Sequence, residues 1–419
     1  MLSSLPEKPA SQKNPAVALV RSRIQPRLSG MALLVLGAMF SLSVNAAISD
    51  TIHPFVGVSY AYDDNLFRLS DNNPQRASDT IKSTIVGVAF ERPLGRQVFT
   101  GNAKLSRVDF NNFDELNYNG KDANLTWRWA LGNHLDGTAG ATYSETLSPF
   151  SDFHTTERNL RTSRGEFFDG GWRFHPSWRV RGRVSNDKFR YDLASQRYLD
   201  RDEDRAEAGF DYLAPSGSTI GLQVRRTKGD YLHPSSFGGV IDDEGFKQTD
   251  VQLKVLWIYS GLTQIQFLGG RARREHNLFS QRDSSGTNGR LDARWAATEK
   301  LRVTLAAWRE FQPFEGSVAT YTMSKGVGLT ADWAITSKLQ AQASVRRSTR
   351  DFDGVVGGGS SLAGTQQDRS TNGSIGLTYA PLPQLSINAS LTRDIRSSET
   401  VFSTQYRARG ASLSANLQF

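Results

Sequence analysis

The feature that most constrains this chain is the alternation of apolar and polar residues near its carboxy terminus. Ala411, Leu413, Ala415, Leu417 and Phe419 occupy every second position, and polar or small residues fill the positions between them. Successive side chains of a β-strand point to opposite faces, so the pattern predicts a strand with one apolar and one polar face. A strand of a soluble sheet can show the same pattern, and the rest of the chain must decide between the two environments.

The chain stops on an aromatic residue, Phe419, with no polar tail after it. This ending resembles the terminal strand through which bacterial outer-membrane barrels are recognised for insertion. We therefore expect Leu413, Leu417 and Phe419 to act as an insertion signal. The partners that this resemblance implies are the barrel-assembly machinery and the lipid of the outer membrane.

The same alternation recurs from Ala47 to the end of the chain, in runs separated by short turns and by longer polar loops. One run at 52–62, eight pairs of runs and a last run at 406–419 predict about eighteen strands. Long loops are expected at residues 63–78, 148–163, 232–246, 277–288 and 353–369. An even strand number, with short turns at one end and long loops at the other, is typical of outer-membrane barrels. The predicted fold is all-β: a transmembrane antiparallel up-and-down β-barrel without a plug domain.

Charged residues indicate which face of each strand points outward. Trp178, Val180 and Val184 alternate with three arginines, and an arginine facing lipid at the midplane costs about 2–4 kcal/mol. The charged face must therefore line the lumen. The predicted pore-lining cations are Lys104, Arg128, Arg173, Arg179, Arg181, Arg183, Arg225, Lys254, Arg290, Arg294, Arg302 and Arg346. Fewer acids are expected there, namely Asp169, Glu207, Asp211, Asp292 and Asp332.

A lumen lined in this way would concentrate anions. Two alternatives stay open, namely ordinary porin electrostatics and arginines neutralised by loop acids. Tryptophan and tyrosine residues beside the short turns predict an aromatic girdle at one membrane surface. These residues are Trp129, Trp178, Tyr212, Tyr259, Trp295, Trp333 and Tyr379.

The first 46 residues predict a secretory signal peptide. Basic residues precede an apolar stretch from Met31 to Val44, which is too short to span a bilayer as a helix. The sequence Val44-Asn45-Ala46 provides a small-residue cleavage site before Ala47. An uncleaved anchor is the alternative, and Met31 is a second candidate for the start. The predicted division is a signal peptide over 1–46 and an outer-membrane barrel over 47–419.

Several kinds of chemistry find no support in the sequence. The chain has no cysteine, which excludes disulfides and thiolate sites. Its six histidines are scattered and match no catalytic or metal-binding spacing. We therefore expect no enzyme activity, no cofactor, no metal and no nucleic-acid partner. A barrel lipase or protease remains the alternative, because catalytic triads assemble in space rather than in sequence.

The sequence following the first run is Asp-Asp-Asn-Leu-Phe-Arg. It lacks the glycine and the late glutamate of an EF-hand calcium loop, so a solvated loop start is the simpler interpretation. Together with residues 58–62, however, it resembles the opening motif of the EpsL-type outer-membrane proteins of exopolysaccharide biosynthesis, which are related to the beta-barrel porin 2 group. The residues carrying this resemblance are Asp63, Asp64, Asn65, Leu66, Phe67 and Arg68.

The resemblance implies a barrel that serves polysaccharide assembly or export, with polysaccharide and other export proteins as partners. It implies no catalytic residues. The resulting expectation is an outer-membrane channel that conducts a polysaccharide, including an anionic one, through an arginine-lined lumen in a Gram-negative bacterium. A general diffusion porin for small solutes is the alternative.

Overall fold

The computed structural model describes residues 51–151, 156–233, 235–237, 240–242, 245–278, 280, 283–313, 321–352, 367–399 and 403–419. The predicted signal peptide over 1–46 lies outside these residues. The strands are β1 Ile52–Asp63, β2 Asp79–Leu94, β3 Gln97–Phe110, β4 Tyr118–Leu131, β5 Leu135–Leu147, β6 Leu160–His175, β7 Trp178–Tyr191, β8 Arg201–Leu213, β9 Thr219–Tyr231, β10 Ser235–Phe237, β11 Val240–Asp242, β12 Phe246–Ser260, β13 Thr263–His276, β14 Ser284–Ala296, β15 Leu301–Pro313, β16 Tyr321–Ala334, β17 Leu339–Asp351, β18 Gln367–Leu382, β19 Leu385–Ser398 and β20 Tyr406–Gln418. Two short 3-10 helices cover Asp114–Leu116 and Ala194–Leu199.

Eighteen of these strands form one closed sheet, and β10 and β11 form a separate small hairpin. Each barrel strand pairs antiparallel with its neighbours, and β9 pairs with β12 across the small hairpin. The sheet closes where β1 pairs with β20, from Phe55 opposite Gln418 to Asp63 opposite Gly410. We call this junction the seam. The predicted barrel of eighteen strands is confirmed, and the described residues contain no separate plug domain.

The alternation in sequence becomes two faces of the barrel wall. Val56, Val58 and Tyr60 on β1 are exposed on the outside, whereas Ser59 and Ala61 at the alternate positions are buried. In a closed barrel, the backbone N–H and C=O groups of every strand form hydrogen bonds with neighbouring strands, which is why the barrel can lie in lipid. With its apolar exterior and polar interior, the chain is a transmembrane barrel of the Gram-negative outer-membrane type. Among the described residues, no helix is long and apolar enough to cross a membrane.

Several strands run further into the loops than the alternation predicts. β6 begins at Leu160 and β14 at Ser284, inside the loops predicted over 148–163 and 277–288. Above the lipid both faces of a strand meet water, so the apolar pattern stops before the backbone ladder does. The strands meet in short turns at the other end, where Gly95, Gly132 and Gly217 have positive φ.

The aromatic residues beside the short turns lie on the outside. Tyr259, Trp295 and Trp333 are at least half exposed, and Trp178 stacks on Phe210 with ring centroids 4.9 Å apart. Rings with an apolar body and a polar tip favour the membrane surface. The predicted girdle therefore surrounds the short-turn end, where both β1 begins and β20 ends.

Candidate functional site

The lumen wall carries the charged residues of the barrel. Strand register places every predicted pore-lining cation on the face opposite the exposed apolar side chains. Arg128 of β4, for example, alternates with the exposed Leu125, Trp127 and Leu131. The structure then separates these cations into those held by acids of the wall and those that face open water.

The arginines of β7 belong mainly to the first group. Arg179 Nη2 and Arg181 Nε lie 2.7 and 3.1 Å from the same carboxylate oxygen of Asp211, whose side chain is 2% exposed. Arg181 also donates to Gln223 Oε1 at 2.7 Å. Arg183 lies 3.5 Å from Asp169 and is 41% exposed. Neutralisation thus comes from acids on the adjacent strands β8 and β6, rather than from loop acids.

Acids on the lumen wall are more numerous than the sequence analysis expected. Asp122 lies 3.6 Å from Lys104, and Asp187 lies 3.0 Å from Arg205. Buried Glu203 contacts Arg205 as well, at 2.5 Å. The sequence predicted fewer inward acids than inward cations and named five; it missed Asp122, Asp187 and Glu203 because only the most regular runs were considered. The same period of two assigns Asp122 to the inner face through Asn124, Thr126 and Arg128, so this signal was available in the sequence.

Three further predicted cations also have partners in the wall. Arg225 lies 2.8 Å from Glu207, and Arg290 lies 2.8 Å from Asp292. The guanidinium of Arg346 lies 4.0 Å from the ring centre of Trp308. These residues lie on the inner face of β9, β14 and β17; acids neutralise Arg225 and Arg290, whereas Arg346 keeps its charge beside an aromatic ring.

The second group lies at the short-turn opening of the lumen. Arg128 and Arg173 lie near the ends of β4 and β6, and Arg294 and Arg302 lie on either side of the β14–β15 turn. All four are exposed. No acid in the described part of the chain forms an ion pair with them. We call these four residues the mouth cations; they place positive charge without ion-pair partners at one entrance, and the nearest acid in register is Asp332, opposite Arg302.

The inner faces of β17 to β20 are rich in hydroxyl groups in their short-turn halves, whereas charged residues such as Arg350, Asp368 and Arg396 lie nearer the long loops. The inner faces of β17 to β20 carry Ser344, Ser374, Ser390 and Ser412, whose hydroxyls pair across strands at 2.7 Å. Thr378 donates to Asn388 Oδ1 at 2.8 Å. The lumen wall therefore includes a region of neutral hydrogen-bonding groups beside its charged regions.

At the long-loop end, the motif after β1 joins the two sides of the seam. Asp64 accepts from the backbone N–H of Arg409 at 2.6 Å, and its own N–H donates to the Arg409 carbonyl at 3.0 Å. Asn65 is fully buried and donates to the carbonyls of Leu69 and Arg407 at 2.8 and 2.9 Å. Its Oδ1 accepts from the Leu69 N–H at 3.0 Å.

Arg68 completes this arrangement from an αL backbone conformation, with φ of 56°. Its Nη2 lies 2.7 Å from Asp63, and its Nε lies 3.7 Å from Asp394 of β19. Burial lowers the pKa of Arg68, but the hydrogen bond and the charge of Asp63 outweigh it, so the pKa is raised. We call Asp63, Asp64, Asn65 and Arg68 the seam clamp. The interpretation of this motif as a solvated loop start was wrong, because its polar groups bind β19 and β20.

The two apolar residues of the motif point into the barrel. Leu66 and Phe67 are buried against Val108, Phe110 and Tyr118, which lie at the long-loop ends of β3 and β4. Phe67 packs edge-on against Phe150, with ring centroids 5.0 Å apart. Arg396 of β19 donates to the backbone carbonyl of Ser151, so the β5–β6 loop reaches across to β19. Inward-folded loops therefore narrow the long-loop end of the lumen.

The predicted insertion residues lie on the outside of β20 and at its end. Leu413 is 55% exposed and Phe419 is 67% exposed. The N–H of Phe419 donates to the Pro54 carbonyl at 2.8 Å, which extends the seam to the last residue. Within the described residues, no group of three or more histidines and acids could hold a metal ion.

No family model matches the chain, and no curated protein matches its sequence. Among solved structures, the outer-membrane protein OpdK of Pseudomonas aeruginosa shares 13% identity, with 88% of this chain and 99% of that chain covered and a TM-score of 0.46. OccAB3 of Acinetobacter baumannii shares 11% identity, with coverages of 88% and 99% and a TM-score of 0.46. A bacterial polysaccharide outer-membrane secretin shares 10% identity, with coverages of 87% and 98% and a TM-score of 0.37. At these scores the assignment of the barrel rests on the strand pairing of the chain itself.

Proposed function

We propose that this protein is a passive outer-membrane channel whose mouth cations favour anionic solutes. The observation that carries the proposal is the set Arg128, Arg173, Arg294 and Arg302, which are exposed and unpaired among the described residues. Fixed cations at a pore entrance raise the local concentration of anions. Short turns face the periplasm in outer-membrane barrels, so this entrance opens into the periplasm.

The proposal differs from a lumen that is cationic throughout. Along the middle of the wall, acids neutralise most of the arginines, as Asp211 does for Arg179 and Arg181. Selectivity would then arise at the mouth, whereas the inward-folded loops at the other end would limit solute size. A barrel of this strand number leaves an aqueous interior that side chains alone do not fill.

Ion selectivity in planar bilayers tests the proposal. We expect the mature protein to show an anion-selective reversal potential in a KCl gradient, and the variant with all four mouth cations replaced by Gln to lose that preference. A matched control replaces the same number of outward cations, namely Arg107, Lys121, Lys228 and Arg273. Unchanged selectivity in the first variant, or an equal loss in the control, would contradict the role of the mouth cations.

A second candidate is a conduit for an anionic polysaccharide, as the resemblance to EpsL-type proteins implies. Two observations favour it. The mouth cations face the side from which an exported polymer enters, and the hydroxyl-rich wall can exchange hydrogen bonds with sugar hydroxyls. Carboxylates of a uronic acid polymer would bind the arginines as charge-assisted pairs.

Current block separates the two candidates. A uronic acid oligomer added on the short-turn side should interrupt the current reversibly if the channel conducts such polymers, and a neutral glucose oligomer of equal length should do so much less. If the channel conducts small anions and neither oligomer blocks the current, the result would favour the diffusion channel.

A further inference from the structure

Five arginines form a patch on the outer face of β17 to β20, at the long-loop end. They are Arg347, Arg369, Arg393, Arg407 and Arg409, and all are exposed. Arg393 and Arg409 stand directly opposite each other in the β19–β20 register. Like charges in such a cross-strand position repel each other. This cluster of positive charge therefore lowers the stability of the barrel when no anion is bound to it.

This patch differs from several other outward cations at the same end, which are held in ion pairs. Elsewhere Arg107 pairs with Asp109 at 2.6 Å, Lys121 with Glu145 at 3.2 Å, and Lys325 with Asp351 at 3.1 Å. Within the patch, Arg407 lies 3.8 Å from exposed Asp71. Across the described part of the chain, no acid forms an ion pair with the side chains of the other four arginines. Arg226 and Arg271 also face outward without an ion pair in the described part of the chain, so what distinguishes the patch is that five arginines cluster on four adjacent strands.

An apolar groove lies next to the patch, on the side of the membrane centre. It has a volume of about 440 Å³ and is bordered by Tyr60, Tyr62, Ile375, Leu377, Leu391 and Leu413. Two alanines, Ala389 and Ala411, form part of its lining. In register, Leu391 pairs with Ala411 and Ala411 with Tyr62, one step below Arg393 and Arg409. The groove forms because the small side chains of Ala389 and Ala411 lie between these larger side chains.

We propose that this face binds a phosphorylated lipid of the outer leaflet, with phosphates on the arginines and an acyl chain in the groove. Arg393 follows Leu391 and Arg409 precedes Ala411 on the outer face, so the charges lie where the apolar band ends and lipid headgroups begin. Guanidinium groups bind phosphate oxygens in a forked geometry. A phosphate between Arg393 and Arg409 would also relieve their repulsion. A two-fold contact with a second copy through this face fits poorly, because the patch would meet the same positive charge.

The experiment uses the mature barrel in phosphatidylcholine nanodiscs and measures lipid retention by native mass spectrometry. The probes are bisphosphorylated lipid A, the same lipid without phosphates, and inorganic phosphate. The test variant replaces Arg369, Arg393 and Arg409 by Gln, and the control replaces the ion-paired Arg107, Lys121 and Lys325 by Gln. We expect the test variant to bind bisphosphorylated lipid A at least about tenfold more weakly, and the control to change little.

A second variant, Ala411→Trp, fills the groove without changing charge. It should weaken lipid A binding and leave the affinity for inorganic phosphate unchanged, which separates a lipid site from a site for free anions. The change in gel mobility on heating shows whether each variant is folded. If the triple variant does not fold, Arg393→Gln alone replaces it. Equal binding of the lipid without phosphates, an equal loss in the control, or full competition by inorganic phosphate would overturn the proposal.

Discussion

Asn65 is the residue through which the seam clamp can be tested most directly. Its side chain is fully buried and makes three hydrogen bonds, with the carbonyls of Leu69 and Arg407 and with the N–H of Leu69. A net contribution of about 1 kcal/mol for each bond gives a loss of about 3 kcal/mol on Asn65→Ala. No water replaces these bonds while the site stays buried, so the backbone groups of both segments lose their partners.

Urea unfolding of the mature barrel in short-chain phosphatidylcholine vesicles measures this loss through tryptophan fluorescence. Asn73→Ala is the matched control from the same loop. Asn73 Oδ1 accepts one exposed hydrogen bond, from the Gln75 N–H at 2.8 Å. The control should change the free energy of unfolding by less than about 0.5 kcal/mol. If Asn65→Ala costs no more than Asn73→Ala, the clamp does not stabilise the seam.

Two further predictions concern the lumen and the last strand. Replacing Arg179, Arg181 and Arg183 by Gln should shift the ion selectivity of the reconstituted channel away from anions. It should also lower the free energy of unfolding by about 3 kcal/mol, because buried Asp211 loses its cations. Adding Asp211→Asn should restore stability, and unchanged selectivity and stability would contradict this pairing. Phe419→Asp should leave unfolded protein in the periplasm, because the terminal strand loses its aromatic residue, and normal surface levels by protease accessibility would refute the insertion signal.

The sequence by itself determined the architecture and the direction of each side chain. A period of two residues is a local property, so the alternation in 178–184 was sufficient to place Arg179, Arg181 and Arg183 on the inner face. Loop-forming residues are a local signal as well, which explains why β5 ends at Leu147, directly before the loop predicted over 148–163. The strand number followed from the same runs.

Tertiary structure decided which of these side chains are paired and which are free. Arg68 meets Asp394 only because the barrel closes β1 on β20 and brings β19 beside them. The approach of Ser151 to Arg396 likewise depends on how a loop folds across the lumen. Such contacts join residues far apart in the chain, and alternation carries no information about them. The mouth cations and the seam clamp therefore became visible only when the register around the closed sheet had placed every neighbour.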